Sequence, residues 1–330
     1  MLKLIILLCV FLLFPVHIKA DRQVNPNQTY SYIQMKHDLV KLAKTYNLPL
    51  IKIGESEFGR DLLAVKVGEG QHSILLNGSH HGREWLTTNV LMNMVEEYAA
   101  AYQQGNSIGG YSTGILDTVS IWFVPMVNPD GVMIQQKGIE QLPFLMQEVY
   151  IDMNQGESDF KRWKANGLGI DLNRQYPAGW ESIKGDQPSA AYSHYKGQEP
   201  LQAKEARALA RFTKKKNPLI TASYHTSGHE LYWYYYNKLL NLHRDFRLVN
   251  HISKVTGYKV SYPSFNAVGG GYSDWFIQEF QRPAITLELS YLVKETSPPL
   301  SAFQEEWKRN RAIGLLIADE AIKFFINSEK

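Results

Sequence analysis

The sequence predicts a single α/β domain, with a central, twisted, mixed but mostly parallel sheet and helices on both faces. Three observations carry this expectation. Short apolar runs of strand length alternate with longer stretches of helical periodicity. No internal repeat, low-complexity block or Pro/Ser-rich linker divides residues 21–330, a length one α/β domain accommodates. Polar clusters follow several of the apolar runs, at the carboxyl ends of strands where open α/β sheets bind ligands.

The chain begins with a short basic start, Met1 to Lys3, and an apolar run from Leu4 to Phe14 before turning polar at Asp21-Arg22-Gln23. Residues 1–20 read as a secretory signal peptide cut at Ala20–Asp21, too short for a membrane span. No later segment is apolar enough to span, so no membrane association is expected after cleavage. The one cysteine, Cys9, lies in that segment, which leaves the exported chain without a disulfide and dependent on its core or a metal. Lys+Arg number 35 against 32 Asp+Glu, and Lys3 and Lys19 belong to the signal. The near-neutral remainder argues against nucleic acid as a partner. Oligomeric state leaves no mark in the sequence.

Tyr32, Met35, Leu39, Leu42 and Tyr46 keep helical spacing, and Asn47 with Pro49 ends that helix. Leu50–Ile53 and Leu62–Val67 read as strands around turn residues, and Ser73–Leu76 as a third. A long helix is expected from about Glu84, with Leu91, Met94, Val95 and Tyr98 on one face. Thr118–Val124, Leu219–Tyr224 and Ala284–Leu289 read as buried strands, and one helix from about Ser301 to Phe325 closes the chain. The clusters past strand ends are Ser79-His80-His81-Gly82-Arg83-Glu84, Asn128-Pro129-Asp130-Gly131 and His225-Thr226-Ser227-Gly228.

His81 and Glu84 stand three apart where a strand gives way to a helix, so both side chains can converge on one point. His225 ends another strand. Two histidines and a glutamate, with a fourth position left for water, make a catalytic zinc site; without cysteine, a closed structural site is disfavoured. On spacing alone His80 competes with His81 as the ligand. Glu288 is the only carboxylate in the apolar run Ala284–Leu289. Glutamate is rarely buried unless paired or functional, and one facing a zinc-activated water can serve as general base. In Gly169-Ile170-Asp171-Leu172-Asn173-Arg174, a guanidinium beside an amide suits a carboxylate, and Asp171 suits the ring of a metal-bound histidine.

In order and approximate spacing, His81-x-x-Glu84, Gly169-x-Asp171-x-Asn173-Arg174, Ser223-Tyr224-His225, Gly270-Gly271-Tyr272-Ser273-Asp274-Trp275 and Leu287-Glu288-Leu289 resemble the zinc carboxypeptidases. The resemblance covers about residues 28–326. Arg162-Trp163-Lys164-Ala165-Asn166, Asp171-Leu172-Asn173-Arg174 and His225-Thr226-Ser227-Gly228-His229-Glu230 are most similar to the bacterial branch of γ-D-glutamyl-diaminopimelate peptidases, which trim cell-wall peptides. The resemblance implies one Zn²⁺ on His81, Glu84 and His225, with Glu288 as general base. It implies that Arg83, Asn173 and Arg174 bind substrate, with Arg174 on a terminal carboxylate, and that Asp171 holds a ligand histidine's ring. A secreted hydrolase of peptidoglycan peptides, probed by its muropeptide substrate, is the function that follows.

Three positions depart from the animal digestive enzymes. Their oxyanion-stabilising arginine follows the tryptophan of this region, whereas here Trp163 is flanked by Arg162 and Lys164; the reading favours Arg162. Eight residues before Asp274, where they carry a substrate-capping tyrosine, stands Asn266, and Tyr262 is the substitute a longer loop allows. Ser273, before Asp274, replaces the aliphatic or acidic residue that selects apolar or basic side chains and is compatible with zwitterionic diaminopimelate. The catalytic pattern starts soon after the signal, so a catalytic domain exported alone is expected. Gly105-Asn106-Ser107-Ile108-Gly109 matches a serine-hydrolase motif in form, but a helix precedes it where a strand is required. A binding-only homologue would be expected to lack a ligand or the base. A broad carboxypeptidase acting on α-linked C-termini is the nearest alternative. Asn27-Gln28-Thr29 and Asn77-Gly78-Ser79 match glycosylation sequons, without meaning in a bacterial exported chain.

Overall fold

The computed structural model describes residues 22–140, 142–262 and 269–326. The expected signal peptide, Cys9 and Asn266 lie outside the described residues. Ten strands and nine α-helices run in the order α1 (Tyr32–Thr45), β1 (Leu50–Glu55), β2 (Asp61–Val67), β3 (His72–Gly78), α2 (Leu86–Gln104), β4 (Ser107–Ile108), β5 (Tyr111–Ser112), β6 (Val119–Val124), α3 (Pro129–Lys137), α4 (Phe144–Met153), α5 (Lys204–Lys216), β7 (Thr221–Thr226), β8 (Glu230–Tyr232), α6 (Leu239–Thr256), β9 (Lys259–Ser261), α7 (Tyr272–Phe280), β10 (Ala284–Leu289), α8 (Phe303–Asn310) and α9 (Ile313–Ala321), counted among the described residues.

Eight strands form one sheet in the order β1-β2-β6-β3-β7-β10-β8-β9. Its centre, β6-β3-β7-β10, is parallel, while β1, β2 and β8 add antiparallel pairings and β8–β9 is parallel again. The pleat divides the core in two. Ile74 and Leu76 of β3 enter a large cluster with α1, α2, α6 and α9, while Leu75 enters a second cluster with α5 and α7. Helices therefore cover both faces, and the central strands are apolar throughout, as a doubly covered sheet requires.

Ser31 caps α1, its side chain accepting from the Gln34 amide. The last helix differs from expectation: it breaks between Asn310 and Ile313 into α8 and α9. Gly314 donates its N–H to the buried Tyr98 hydroxyl at 3.1 Å, so an α2 side chain takes the place of the intrahelical acceptor. The Gly105–Gly109 motif forms a left-handed helix end and part of the β4–β5 ribbon, with Ser107 exposed. No helix among the described residues is long and apolar enough to cross a membrane.

Candidate active site

The site opens at the carboxyl ends of β3, β7 and β10, three neighbouring parallel strands. β3 ends at Gly78, and the chain turns through His81 into a short 3-10 turn, Gly82–Glu84. Two groups pin that turn. Gly82 donates to the Lys164 carbonyl at 3.0 Å. Asn128, the cap of α3, donates to the carbonyls of His80 and Ala165 at 3.1 Å. A Cβ on Gly82 would lie 2.4 Å from the Gly131 carbonyl oxygen, so the approach of this turn to α3 requires glycine.

His81, Glu84 and His225 are all buried, and one ligand atom from each lies within 4.8 Å of the others. His81 Nδ1 is 2.8 Å from Glu84 Oε1, His225 Nδ1 is 2.8 Å from Glu84 Oε2, and the two imidazole nitrogens are 3.2 Å apart. Those separations approach the roughly 3.3 Å edge of a tetrahedron with bonds of about 2.0–2.1 Å, the length of zinc bonds to nitrogen and oxygen. Three ligands without thiolate, converging in a buried corner beside a cavity, fit a catalytic zinc with one open position. His81 Nε2 points to Asp171 Oδ1 at 3.1 Å, which orients the ring for coordination through Nδ1. His225 Nε2 is buried without such a partner among the described residues. His80 stays outside the cluster: its Nε2 meets the Tyr176 hydroxyl at 3.1 Å and its ring stacks on His225. The geometry decides between the two adjacent histidines in favour of His81.

The two glutamates of the site have opposite acid strengths. Burial alone would raise Glu84, but the imidazoles of His81 and His225 outweigh it and hold the carboxyl well below its ordinary range. Burial pushes Glu288 up to about 7, and the neighbouring Glu84 charge adds to the rise. No protein hydrogen bond holds the Glu288 carboxylate among the described residues; it faces two adjoining cavities. Asp171 resembles Glu84: burial opposes ionisation, but Lys164 and His81 hold its carboxyl low.

The smaller cavity, about 280 Å³, is lined by His81, Arg83, Glu84, Lys164, Tyr232 and Glu288, among others. Arg83 Nη1 donates to the Arg162 carbonyl at 3.2 Å. Arg162, the residue expected at the oxyanion, is not among the residues that line either cavity. Its Nε donates to Asn154 Oδ1 at 3.1 Å and its guanidinium lies 4.1 Å over the Tyr192 ring. Trp163 between the two candidates is fully buried, and Arg162 closes the short 3-10 turn Phe160–Arg162 before it. Lys164 is the one turned inward, with Nζ 2.8 Å from Asp171 Oδ2.

The larger cavity, about 520 Å³, adjoins the first at Glu288 and Tyr232. Asn173, Ser273 and Tyr262 all line it. Asn173 Oδ1 accepts the Tyr272 N–H at 3.0 Å, leaving its amide nitrogen for a ligand. Ser273 Oγ meets Thr286 Oγ1 at 2.8 Å. Tyr262 is 64% exposed at the mouth, edge-on to Trp233 and Tyr234. Asp274 accepts the Gly269 and Gly271 N–H groups at 3.1 and 3.3 Å, and burial pushes its carboxyl up to about 6. Arg174 lines neither cavity; its Nη1 donates to the Lys184 carbonyl at 3.3 Å, an exposed bond, and its Nε lies 3.8 Å from Asp171. Sequence reasoning missed Glu230, Tyr232 and Lys259 as lining residues. Strands β8 and β9 that carry them are three residues each, too short for an alternating pattern to signal them.

The zinc carboxypeptidase family model matches residues 35–313. The chain is 34% identical over 303 residues to γ-D-glutamyl-L-diamino acid endopeptidase 1 of Lysinibacillus sphaericus, covering 90% of this chain and 74% of that one. It is 27% identical over 222 residues to metallocarboxypeptidase A of Trichophyton tonsurans, covering 63% of this chain and 44% of the fungal one. Among solved structures, thrombin-activatable fibrinolysis inhibitor superposes with a TM-score of 0.74 at 19% identity, over 92% of this chain and 80% of that one. Carboxypeptidase A of Helicoverpa armigera does so with a TM-score of 0.66 at 17% identity, over 91% and 75%. These likenesses establish the carboxypeptidase fold.

Proposed function

Because the chain belongs to the zinc carboxypeptidase family and is a zinc metallopeptidase, we propose that it hydrolyses the γ-D-glutamyl–meso-diaminopimelate bond of peptidoglycan peptides. The observation that carries this reading is the 34% identity, across most of both chains, with an endopeptidase named for γ-D-glutamyl-L-diamino acid bonds. The apolar run Leu4–Phe14 supports export, which places the enzyme where wall peptides are, and the disulfide-free remainder suits a bacterium.

His81, Glu84 and His225 would hold the zinc, which when bound would supply Lewis acidity and lower the pKa of water toward neutrality. The protein's own groups do the rest. Glu288, at the junction of the two cavities and without a protein hydrogen bond among the described residues, accepts in its ionised form the proton of the attacking water and returns it to the departing amine. Arg83 and Lys164 face the first cavity and stabilise the oxyanion, the role expected of Arg162. Asn173 holds the substrate carboxylate through its amide nitrogen. Arg174 joins it by exchanging its exposed bond to Lys184 for that carboxylate. Asp171 keeps the His81 ring turned for coordination.

The test is mass spectrometry of the products when zinc-loaded protein meets two substrate sets in one tube. One is L-Ala-γ-D-Glu-meso-diaminopimelate; the other is a mixture of blocked α-linked peptides with apolar, basic and acidic C-termini. Release of diaminopimelate alone is expected. Loss of C-terminal residues from the α-linked set instead would leave the metal chemistry standing and overturn the substrate.

A further inference from the structure

The floor of the larger cavity is a sheet edge whose register arranges its polar groups in two rows. Glu288 of β10 lies opposite Glu230 of β8, which lies opposite Lys259 of β9. Thr286, Tyr232 and Ser261 form the second row in the same way. Residues opposed across strands share a face, and all six line the cavity. One row is thus charged, and the other carries hydroxyls.

The charged row begins at the base. With strands about 4.8 Å apart, Glu230 stands roughly 5 Å and Lys259 roughly 10 Å across the sheet from Glu288. The Tyr232 hydroxyl donates to Glu230 Oε2 at 2.6 Å and steadies that carboxylate. Its other oxygen is 3.9 Å from Lys259 Nζ, a loose pairing of two solvent-accessible groups that a ligand can enter. Asp274, a further carboxylate on the wall, accepts two backbone N–H groups through Oδ2. An apolar side chain in this cavity would strip water from Glu230 and Lys259 and return nothing. A side chain that carries an ammonium and a carboxylate on one distal carbon satisfies both.

Building on the γ-D-glutamyl reading, we propose that Glu230 and Lys259 select the residue released by the enzyme, Glu230 binding its distal ammonium and Lys259 its distal carboxylate. A diamino dicarboxylic acid is the class these two groups recognise together; a monocarboxylic diamino acid engages Glu230 alone.

The experiment measures kcat/KM on γ-linked tripeptides ending in meso-diaminopimelate, L-lysine or L-norleucine, and on α-linked isomers with the same three endings. Wild-type enzyme is expected to rank them in that order. Glu230→Gln lowers the diaminopimelate-to-norleucine ratio about tenfold or more, and Lys259→Met lowers the diaminopimelate-to-lysine ratio. Glu230 also acts on the ionisation of Glu288. Loss through that route would shift the acid limb of the pH profile and depress all three substrates equally. Equal losses, or norleucine released by wild type as fast as diaminopimelate, would overturn the proposal. Lys259 is exposed, so its variant reads out even if Glu230→Gln folds poorly. Selection among the α-linked isomers alone would sink the γ-linkage reading and keep the charge reading; γ-cleavage without charge selection would do the reverse.

Discussion

Glu84 and Glu288 are the same residue type in one buried site, and their surroundings assign them different work. Glu84 sits between two imidazoles that hold it ionised against burial, as a metal ligand requires. For Glu288 burial outweighs the opposing pull of His225 and lifts the carboxyl to about 7, a value suited to taking and returning a proton near neutrality. Glu288→Gln is therefore expected to keep one zinc per chain and a KM within a few-fold, while kcat falls by about 10²–10⁴. Turnover at the wild-type rate with zinc in place would remove Glu288 as the base. A base works ionised, so log kcat/KM should rise with pH through the Glu288 ionisation and level off above it. A bound dication lowers that midpoint below the value burial alone sets. A rate that climbs on acidification would contradict the assignment. Asp171→Asn, which loses the negative charge that orients the His81 ring, should weaken zinc affinity about 10- to 100-fold in competition with a chelator.

At the level of elements, the ligand geometry depends on how the turn after β3 is seated. Gly82 has no room for a Cβ against the Gly131 carbonyl, so Gly82→Ala should cost about 1–3 kcal/mol in denaturant unfolding and lower zinc occupancy as well. Full stability together with full occupancy would show that the turn adapts. Much of this region was legible in the sequence, because His81 and Glu84 are close along the chain and Glu288 interrupts an apolar strand. The orientation of Arg162 and Lys164 was not, since it depends on which way the backbone carries the buried Trp163. The strands β8 and β9 are three residues each, too short for periodicity to announce, and with them Glu230 and Lys259 escaped notice. The break between α8 and α9 depends on Tyr98, which lies 216 positions from Gly314.

Across the whole molecule, β3 and β7 are adjacent strands drawn from distant parts of the chain, and a metal held by His81, Glu84 and His225 would tie their ends together. Zinc bound to the folded state alone stabilises it by mass action, so chelation should lower Tm as well as abolish turnover. A second pH-dependent contribution lies away from the metal. Burial pushes Glu205, at the start of α5, up to about 7 from its ordinary 4.5. Between those values the unfolded chain releases a proton that the folded chain keeps, so this group makes stability fall as pH rises through the window. Relative to wild type, Glu205→Gln should flatten that slope in urea midpoints taken from pH 4.5 to 7. Parallel slopes would show that Glu205 ionises in the fold as it does in the open chain. Fold class was legible at this scale from strand–helix alternation, while the two-sided core became visible only once the strand register was known.

The central claim is that the zinc site cuts a γ-D-glutamyl bond with Glu288 as base, and one comparison tests it most directly. Initial rates would be measured for L-Ala-γ-D-Glu-meso-diaminopimelate and its α-linked isomer, with wild-type and Glu288→Gln enzyme, each at one zinc per chain. The account predicts that wild type prefers the γ isomer by about tenfold or more and that the variant loses most turnover on it. An α isomer cut as fast or faster, or a Glu288→Gln enzyme as active as wild type, would contradict it.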